Sequence, residues 1–362
     1  MATVEKDLAD PNETDAAPSR PRPTRNKLVR RIGRDRSQLL RRTIQGLFLA
    51  LNLFIGVQFI LFVHYFESGG TTRHVSRPPG VEGYLPIAGM MNLKYFLVTG
   101  RIPRIHPAAM FLLVAFLLIS IVFRKAFCSW LCPIGTLSEA LWRFGRKLFG
   151  RNWTMPRWLD LPLRGLKHLL FGLFLYAVAS MSAAAIKAFL SSPYGIVADV
   201  KMLNFFRQLG GVASVTIVAL VLLSIGYQNF WCRYLCPYGA LMGIASLLSP
   251  SRIRRDPNRC VDCAKCARVC PSLLPVDKVA TVRSAECTAC LECIAVCPAE
   301  GALQLSLLTR RRPIPAWALA SGLAILFLGI VGCAKLAGVW ASPIPGAVYA
   351  HLLPLIDNRA HP

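Results

Sequence analysis

Residues 260–271 read CVDCAKCARVCP and residues 287–298 read CTACLECIAVCP. Both follow C-x2-C-x2-C-x3-C-P, the bacterial spacing for holding [4Fe–4S] clusters, in which the fourth cysteine of each run ligates the other run's cluster. On that rule one cluster takes Cys260, Cys263, Cys266 and Cys297, and the other takes Cys287, Cys290, Cys293 and Cys270. The alternatives fit less well. Structural zinc sites pair two cysteines closely and find the other two ligands well downstream, whereas here three thiols fall within seven residues, twice. Disulfides belong to oxidising compartments, and the charge pattern below argues against one. A chain built around two such runs moves single electrons.

Working outward, the 362-residue chain is 54% hydrophobic, too apolar for an ordinary soluble domain. Five stretches are predicted to span a bilayer: 44–66, 107–123, 168–190, 212–230 and 315–340. The net charge of +24 could signal nucleic acid, but no nucleic-acid module is visible, and basic residues can set membrane orientation instead. Of the 42 Lys and Arg, 32 fall in the tail to residue 43, the 124–167 loop and the 231–314 segment, and 10 fall on the other side. That asymmetry predicts a bacterial inner-membrane, multi-pass protein with both cysteine runs on the cytoplasmic side and residues 341–362 as a short external tail. Residues 1–43 read as a disordered basic tail with no cleavable signal peptide.

The membrane part repeats itself. Residues 84–100, YLPIAGMMNLKYFLVTG, match residues 194–210, YGIVADVKMLNFFRQLG, at Tyr, Ala, Leu, Phe and Gly. A predicted membrane helix follows each, and then CSWLCPIGTL at 128–137 or CRYLCPYGAL at 232–241. Matched order over two elements marks a repeat, and equal orientation makes it parallel, about an axis along the membrane normal. Cys128, Cys132, Cys232 and Cys236 are thereby expected together at the cytoplasmic ends of two helices. They are candidates for a third metal centre or for redox-active thiols; the alternative is plain packing. Cys333 is expected to pack within the last helix.

Several smaller expectations follow. Thr136 and Glu139 have capping-box spacing. Leu137, Leu141, Phe144 and Leu148 form the apolar face of a helix lying on the bilayer. Trp130, Trp142, Trp231, Tyr234 and Tyr238 fit an interfacial aromatic belt, with an electron relay as the alternative. Asn52, Gln58 and His64, with the seventeen-residue segments, are candidates to line a quinone pocket. His64, His106 and His168 show no convincing axial pairing, so haem is not expected. Arg310, Arg311 and Arg312 are expected to pin the chain at the bilayer before its last helix.

With these four motifs in this order, the chain resembles the membrane-bound polyferredoxins of the NapH and NosR type, with the related CcoG (FixG) proteins. The resemblance covers roughly residues 44–309. It implies an all-α polytopic membrane domain of about five helices (44–249, with 310–340 as its last helix) and an inserted α+β two-cluster ferredoxin domain (250–309). It also implies electron transfer between a quinone or cytoplasmic donor and a periplasmic reductase, or its maturation system, in respiration or denitrification. No substrate bond need be broken in this chain, beyond a possible role as a quinol dehydrogenase component. A copper-reducing or copper-handling assembly factor is the alternative, since soft thiolates suit Cu(I). NosR-like proteins carry a flavin-binding domain, and CcoG-like proteins an external β-sandwich, that have no counterpart in these residues.

Overall fold

In the computed structural model, residue 29, residues 35–307 and residues 313–355 are described. The basic triplet 310–312 and most of the amino-terminal tail lie outside them. The tail ends earlier than residue 43, because α1 (Ser37–Glu67) already includes Ser37–Thr43. Its first turns are held by Arg41, whose side chain is fully buried between two carboxylates.

A 3-10 turn (Pro79–Tyr84) leads to α2 (Pro86–Thr99), the short apolar α3 (Pro107–Phe123) and α4 (Ala126–Trp130). Then come α5 (Pro133–Phe149), α6 (Arg157–Ser180), α7 (Ala183–Ser191), α8 (Pro193–Ile196), α9 (Ala198–Arg207) and α10 (Gly211–Gly226). A π-helical turn (Trp231–Leu235) precedes α11 (Pro237–Ala245). The ferredoxin part holds β1 (Ser251–Arg255), α12 (Lys265–Arg268), α13 (Glu292–Ala295) and β2 (Leu303–Leu307). It is followed by α14 (Ala316–Leu336) and α15 (Gly346–Leu352).

By length and composition α1, α6 and α14 can each cross a membrane, and α9 with α10 would make a fourth crossing if that pair, bent by 80°, is one span. At about 1.5 Å per residue, α3 reaches roughly 26 Å, short of a ~30 Å hydrocarbon core. The stretch expected at 168–190 is displaced. Its helix starts at Arg157 and stops at Ser180, where Ser182 takes the N–H of Ala185 and starts α7. The stretch expected at 212–230 ends at Gly226.

β1 and β2 pair antiparallel with Ile253 opposite Leu305, closing a small α+β unit. One continuous hydrophobic core runs from Leu113, Phe116 and Ile119 of α3 through Trp130 of α4 to Ile253, Cys293 and Leu305, and on to Leu319 and Leu323 of α14. The cysteine-bearing unit is therefore packed onto the helical part rather than tethered to it.

Candidate redox centres and the path between them

The two cysteine runs follow the same backbone path. Asp262 and Ala264 flank Cys263 with positive φ, and Ala289 and Leu291 flank Cys290 in the same way. Left-handed residues without a glycine are uncommon. Alternating with right-handed ones, they turn successive N–H groups toward a shared concavity, the nest geometry found at many Fe–S sites. Each run then closes on a one-turn helix, α12 or α13, that carries its third cysteine. Two cavities result. Cys260, Cys263, Cys266 and Cys297 line one, with Ala299 and Leu303. Cys270, Cys287, Cys290 and Cys293 line the other, with Ile253, Leu274 and Val282. Among the described residues, no three His, Cys, Asp or Glu side chains gather tightly enough for a single metal ion. Four soft thiols spread around a mostly apolar hollow under inward-facing amides fit a cubane cluster. The two cavities differ in depth: Cys260, Cys263 and Cys297 are partly exposed, whereas Cys270, Cys287 and Cys293 are buried.

The other four thiols lie in two pairs, each at a helix junction. Pro133 and Pro237 are the first residues of α5 and α11. The preceding cysteines act as N-caps: Cys132 Sγ accepts from Gly135 N at 3.4 Å and Cys236 Sγ from Gly239 N at 3.2 Å. A helix N-terminus favours negative charge, but burial outweighs it at Cys132 and raises that thiol well above its usual range. A Cβ at residue 135 would collide with the Cys128 carbonyl, so only glycine fits there. Thr136 and Glu139 do not form a capping box. Starting at Pro133 leaves Thr136 Oγ1 donating to Cys132 O, and Glu139 turns away to Arg41.

Cys128 and Cys232 line a third cavity with Lys125, Glu139, Asn229, Arg233 and Glu286. Its wall includes Pro271, Ser272 and Thr288, which also line the Cys270/Cys287/Cys290/Cys293 cavity. Burial, with the neighbouring thiols adding to it, pushes Cys128 up to about 11 and Cys232 up to about 12. Thiols held so far above their usual range ionise readily only against a cation, and metal binding displaces such protons.

The helical part grips the run at 287–293 through its backbone carbonyls. Ser129 Oγ donates to Thr288 O at 2.6 Å, Trp130 Nε1 to Ala289 O at 3.1 Å and Gln38 Nε2 to Cys290 O at 3.0 Å. Arg233 Nη1 donates to Ser272 O at 2.7 Å. Charges lock the same seam. Arg41 forks onto both oxygens of Glu139 at 2.7 Å and reaches Glu292 at 2.9 Å, and Arg143 joins the same two carboxylates. Glu286, one residue before Cys287, is shared by two buried lysines, Lys125 and Lys167. Glu139 was expected in a capping box, and none of these charged residues was expected at this seam. The only available signal was adjacency: Lys125 lies three residues before Cys128 and Glu286 directly before Cys287.

Other expectations change. Trp130 and Trp142 are fully buried and Tyr234 nearly so, so they do not form a lipid-facing belt. Trp130 bonds the 287–293 run, Trp142 lies under the guanidiniums of Arg143 and Arg146, and Tyr234 donates to Asp160 at 2.6 Å. The helix α5 does expose Leu137, Phe144 and Leu148, as its apolar face required. Asn52, Gln58 and His64 do not converge. Asn52 accepts from Tyr84, Gln58 donates to Ser76, and His64 is exposed. Cys333 is exposed rather than packed. At the far end of α3, a second unforeseen cluster is buried, in which Arg77 bridges Glu82 and Asp199 beside His106.

Comparison with known proteins fits this geometry. A family profile described as a 4Fe-4S binding domain matches twice, at residues 105–152 and 209–255, once on each copy of the repeat. A 4Fe-4S dicluster domain matches residues 252–298. YccM of Escherichia coli (strain K12), provisionally named an electron transport protein, is 50% identical over 326 residues, covering 89% of this chain and 91% of that protein. An uncharacterized Methanocaldococcus jannaschii protein, MJ0749, is 28% identical over 63% of this chain and 80% of its own length. The regulatory protein NosR of Pseudomonas aeruginosa is 34% identical over 41% of this chain and 20% of its own length. No solved structure matches the chain. Two 4Fe-4S profiles and a relative alike over nine-tenths of its length, on a scaffold with helices fit to cross a membrane, lead to one conclusion: the chain belongs to the membrane-associated ferredoxin-type proteins, the polyferredoxin family of YccM, NosR, NirI, MauN and NapH.

Proposed function

We propose that the chain is a three-station electron conduit running from the ferredoxin domain into the bilayer. The outer station is Cys260, Cys263, Cys266 and Cys297. The middle one is Cys287, Cys290, Cys293 and Cys270. The inner one is the quartet Cys128, Cys132, Cys232 and Cys236. The observation that carries this reading is the common wall of Pro271, Ser272 and Thr288 between the middle and inner cavities.

Bound iron–sulfur groups supply reversible one-electron transfer, with potentials set by burial, hydrogen bonds and nearby charge. The chain's own residues do the rest. Partly exposed Cys260 and Cys263 leave the outer station within reach of a soluble partner. Leu274, Val276 and Val282 keep water from the middle one. Ser129 and Trp130 hold the middle run against the helix that carries Cys128. Lys125, buried beside Cys128 and Cys232 in the inner cavity, shares Glu286 with the buried Lys167, one cation more than that carboxylate can balance. Unbalanced buried charge is costly, and an anionic metal–thiolate centre would offset it.

The finer reading follows the charge rule and the family. The protein sits in a bacterial inner membrane with the ferredoxin domain on the cytoplasmic side, five crossings and a parallel repeat. It exchanges electrons between a quinone or cytoplasmic donor and a periplasmic reductase or its maturation system. The test is anaerobic purification with iron, sulfide and copper analysis and EPR, for the native chain and for a variant with Ser at 128, 132, 232 and 236. About twelve irons falling to about eight in the variant supports three stations. About eight in both, or copper bound in stoichiometric amount and lost with those four thiols, rejects the inner cluster.

A further inference from the structure

Several arginines meet where the ferredoxin domain rests on the end of α3. Arg124 follows α3 with φ of 60° and is fully buried. One of its nitrogens donates to the carbonyl of Ser284, while Nε and Nη1 have no partner. Beside it, the segment around Thr281 runs antiparallel to β1: Thr281 bridges Arg254, and Val282 N donates to Ile253 O at 2.9 Å. That register sets Arg283 opposite Arg252. Like charges directly opposed on neighbouring strands are destabilising. Among the described residues, no salt bridge joins Arg124, Arg252 or Arg283 to a carboxylate. Burial first, then the charges of Arg124, Arg283 and Arg254, hold Arg252 below its ordinary range.

The position of the cluster narrows what would complete it. Ser249 and Ser251 both donate to Val122 O, so β1 begins at the last turn of the apolar α3. Ile244, Leu247 and Leu248 are exposed on the same approach. Arg252 Nη2 donates to Leu247 O at 3.2 Å, so apolar side chains open to the surroundings stand beside guanidiniums that have no carboxylate partner, which matches the layering of a bilayer face, with acyl chains meeting phosphates. An excess of basic residues that only oriented the chain would leave them solvated and apart. It would not bury one with two idle donors, since an unsatisfied buried charge is expensive.

We propose that Arg124, Arg252 and Arg283 form a phosphate-binding site for the headgroup of an anionic phospholipid on the ferredoxin side of the bilayer. Guanidinium forks suit phosphate oxygens. Bound there, a lipid would fasten the ferredoxin domain to the membrane at β1, a second attachment besides the Arg41 seam. The site does not depend on how many clusters the protein carries.

The experiment uses the full-length, cluster-loaded protein in detergent and follows its thermal midpoint on titration with phosphatidylglycerol, phosphatidylcholine or inorganic phosphate. Phosphatidylglycerol is expected to raise the midpoint saturably and phosphatidylcholine to leave it unchanged. Arg252→Gln with Arg283→Gln, both at the surface, should weaken the phosphatidylglycerol response roughly 30-fold with iron content intact. Arg124→Gln should abolish the response if it folds, and the surface pair carries the test if it does not. Inorganic phosphate producing the whole shift by itself would support the phosphate chemistry and assign a soluble source. Equal responses to the two lipids, or an undiminished response in the surface pair, would overturn the proposal.

Discussion

Arg41→Leu should loosen the ferredoxin domain from the helices without touching a cysteine. The guanidinium is fully buried, forks onto Glu139 at 2.7 Å and reaches Glu292 at 2.9 Å. Its removal leaves two carboxylates, about nine-tenths buried, to share Arg143. Breaking a buried pair from one side costs ~3–5 kcal/mol. The depressed Glu139 carboxyl corresponds to a similar figure, although burial outweighs Arg143 and Arg41 at Glu292 and raises that carboxyl. Burial pushes Glu139 up, but hydrogen bonding and charge from Arg41, with Arg143, outweigh it and hold the carboxyl at about 2 against an ordinary 4.5. A displacement of that size corresponds to ~3 kcal/mol. Because the folded-state value is depressed, this stabilisation is fully present above pH ~4.5 and is lost as pH falls toward 2. The assay is hydrogen exchange of residues 287–293 in the full-length protein. At neutral pH, Arg41→Leu should speed their exchange about a hundredfold, and the difference from the native chain should shrink below pH 4. Arg41→Lys should recover only part, lacking the fork. A change of less than about fivefold would place the seam with exposed ion pairs worth under ~1 kcal/mol and refute the reasoning.

Other outcomes can be checked independently. Gly145→Ala should lower the thermal midpoint by an amount equivalent to ~1–3 kcal/mol, because its Cβ would strike the Ile225 carbonyl of α10, whereas Gly165→Ala, with open space around it, should not. His106 is buried, which lowers its pKa, but Glu82 and Asp199 outweigh that and raise it. Its stabilisation is therefore complete below pH ~6.5 and is lost as pH rises through the folded-state value, and His106→Gln should flatten that dependence in thermal melts. Lys125→Met should move the redox midpoint of the inner station negative by about 60 mV, a tenfold change for one electron, because it deletes a buried cation beside Cys128; an unmoved potential in an EPR-monitored titration would count against charge compensation there.

The sequence by itself determined the division of the ferredoxin cysteines between two cavities, because ligand spacing is a local constraint that a short loop must satisfy wherever it sits. It also marked the two Cys-x3-Cys-Pro units, since a proline at a helix start leaves the preceding cysteine at the cap in each copy. Tertiary structure alone decided which cavity abuts the helical part and which charges close the seam. Arg41 and Glu292 are 251 positions apart, and nothing in the neighbourhood of either marks the other. The same limit misled the reading of aromatic and apolar stretches. Trp130 looks alike at a lipid interface or under a domain. An apolar run of twenty residues reads the same whether it crosses the bilayer straight or breaks at a serine cap, as after Ser180, because composition records what a segment can bury and only packing decides where it bends.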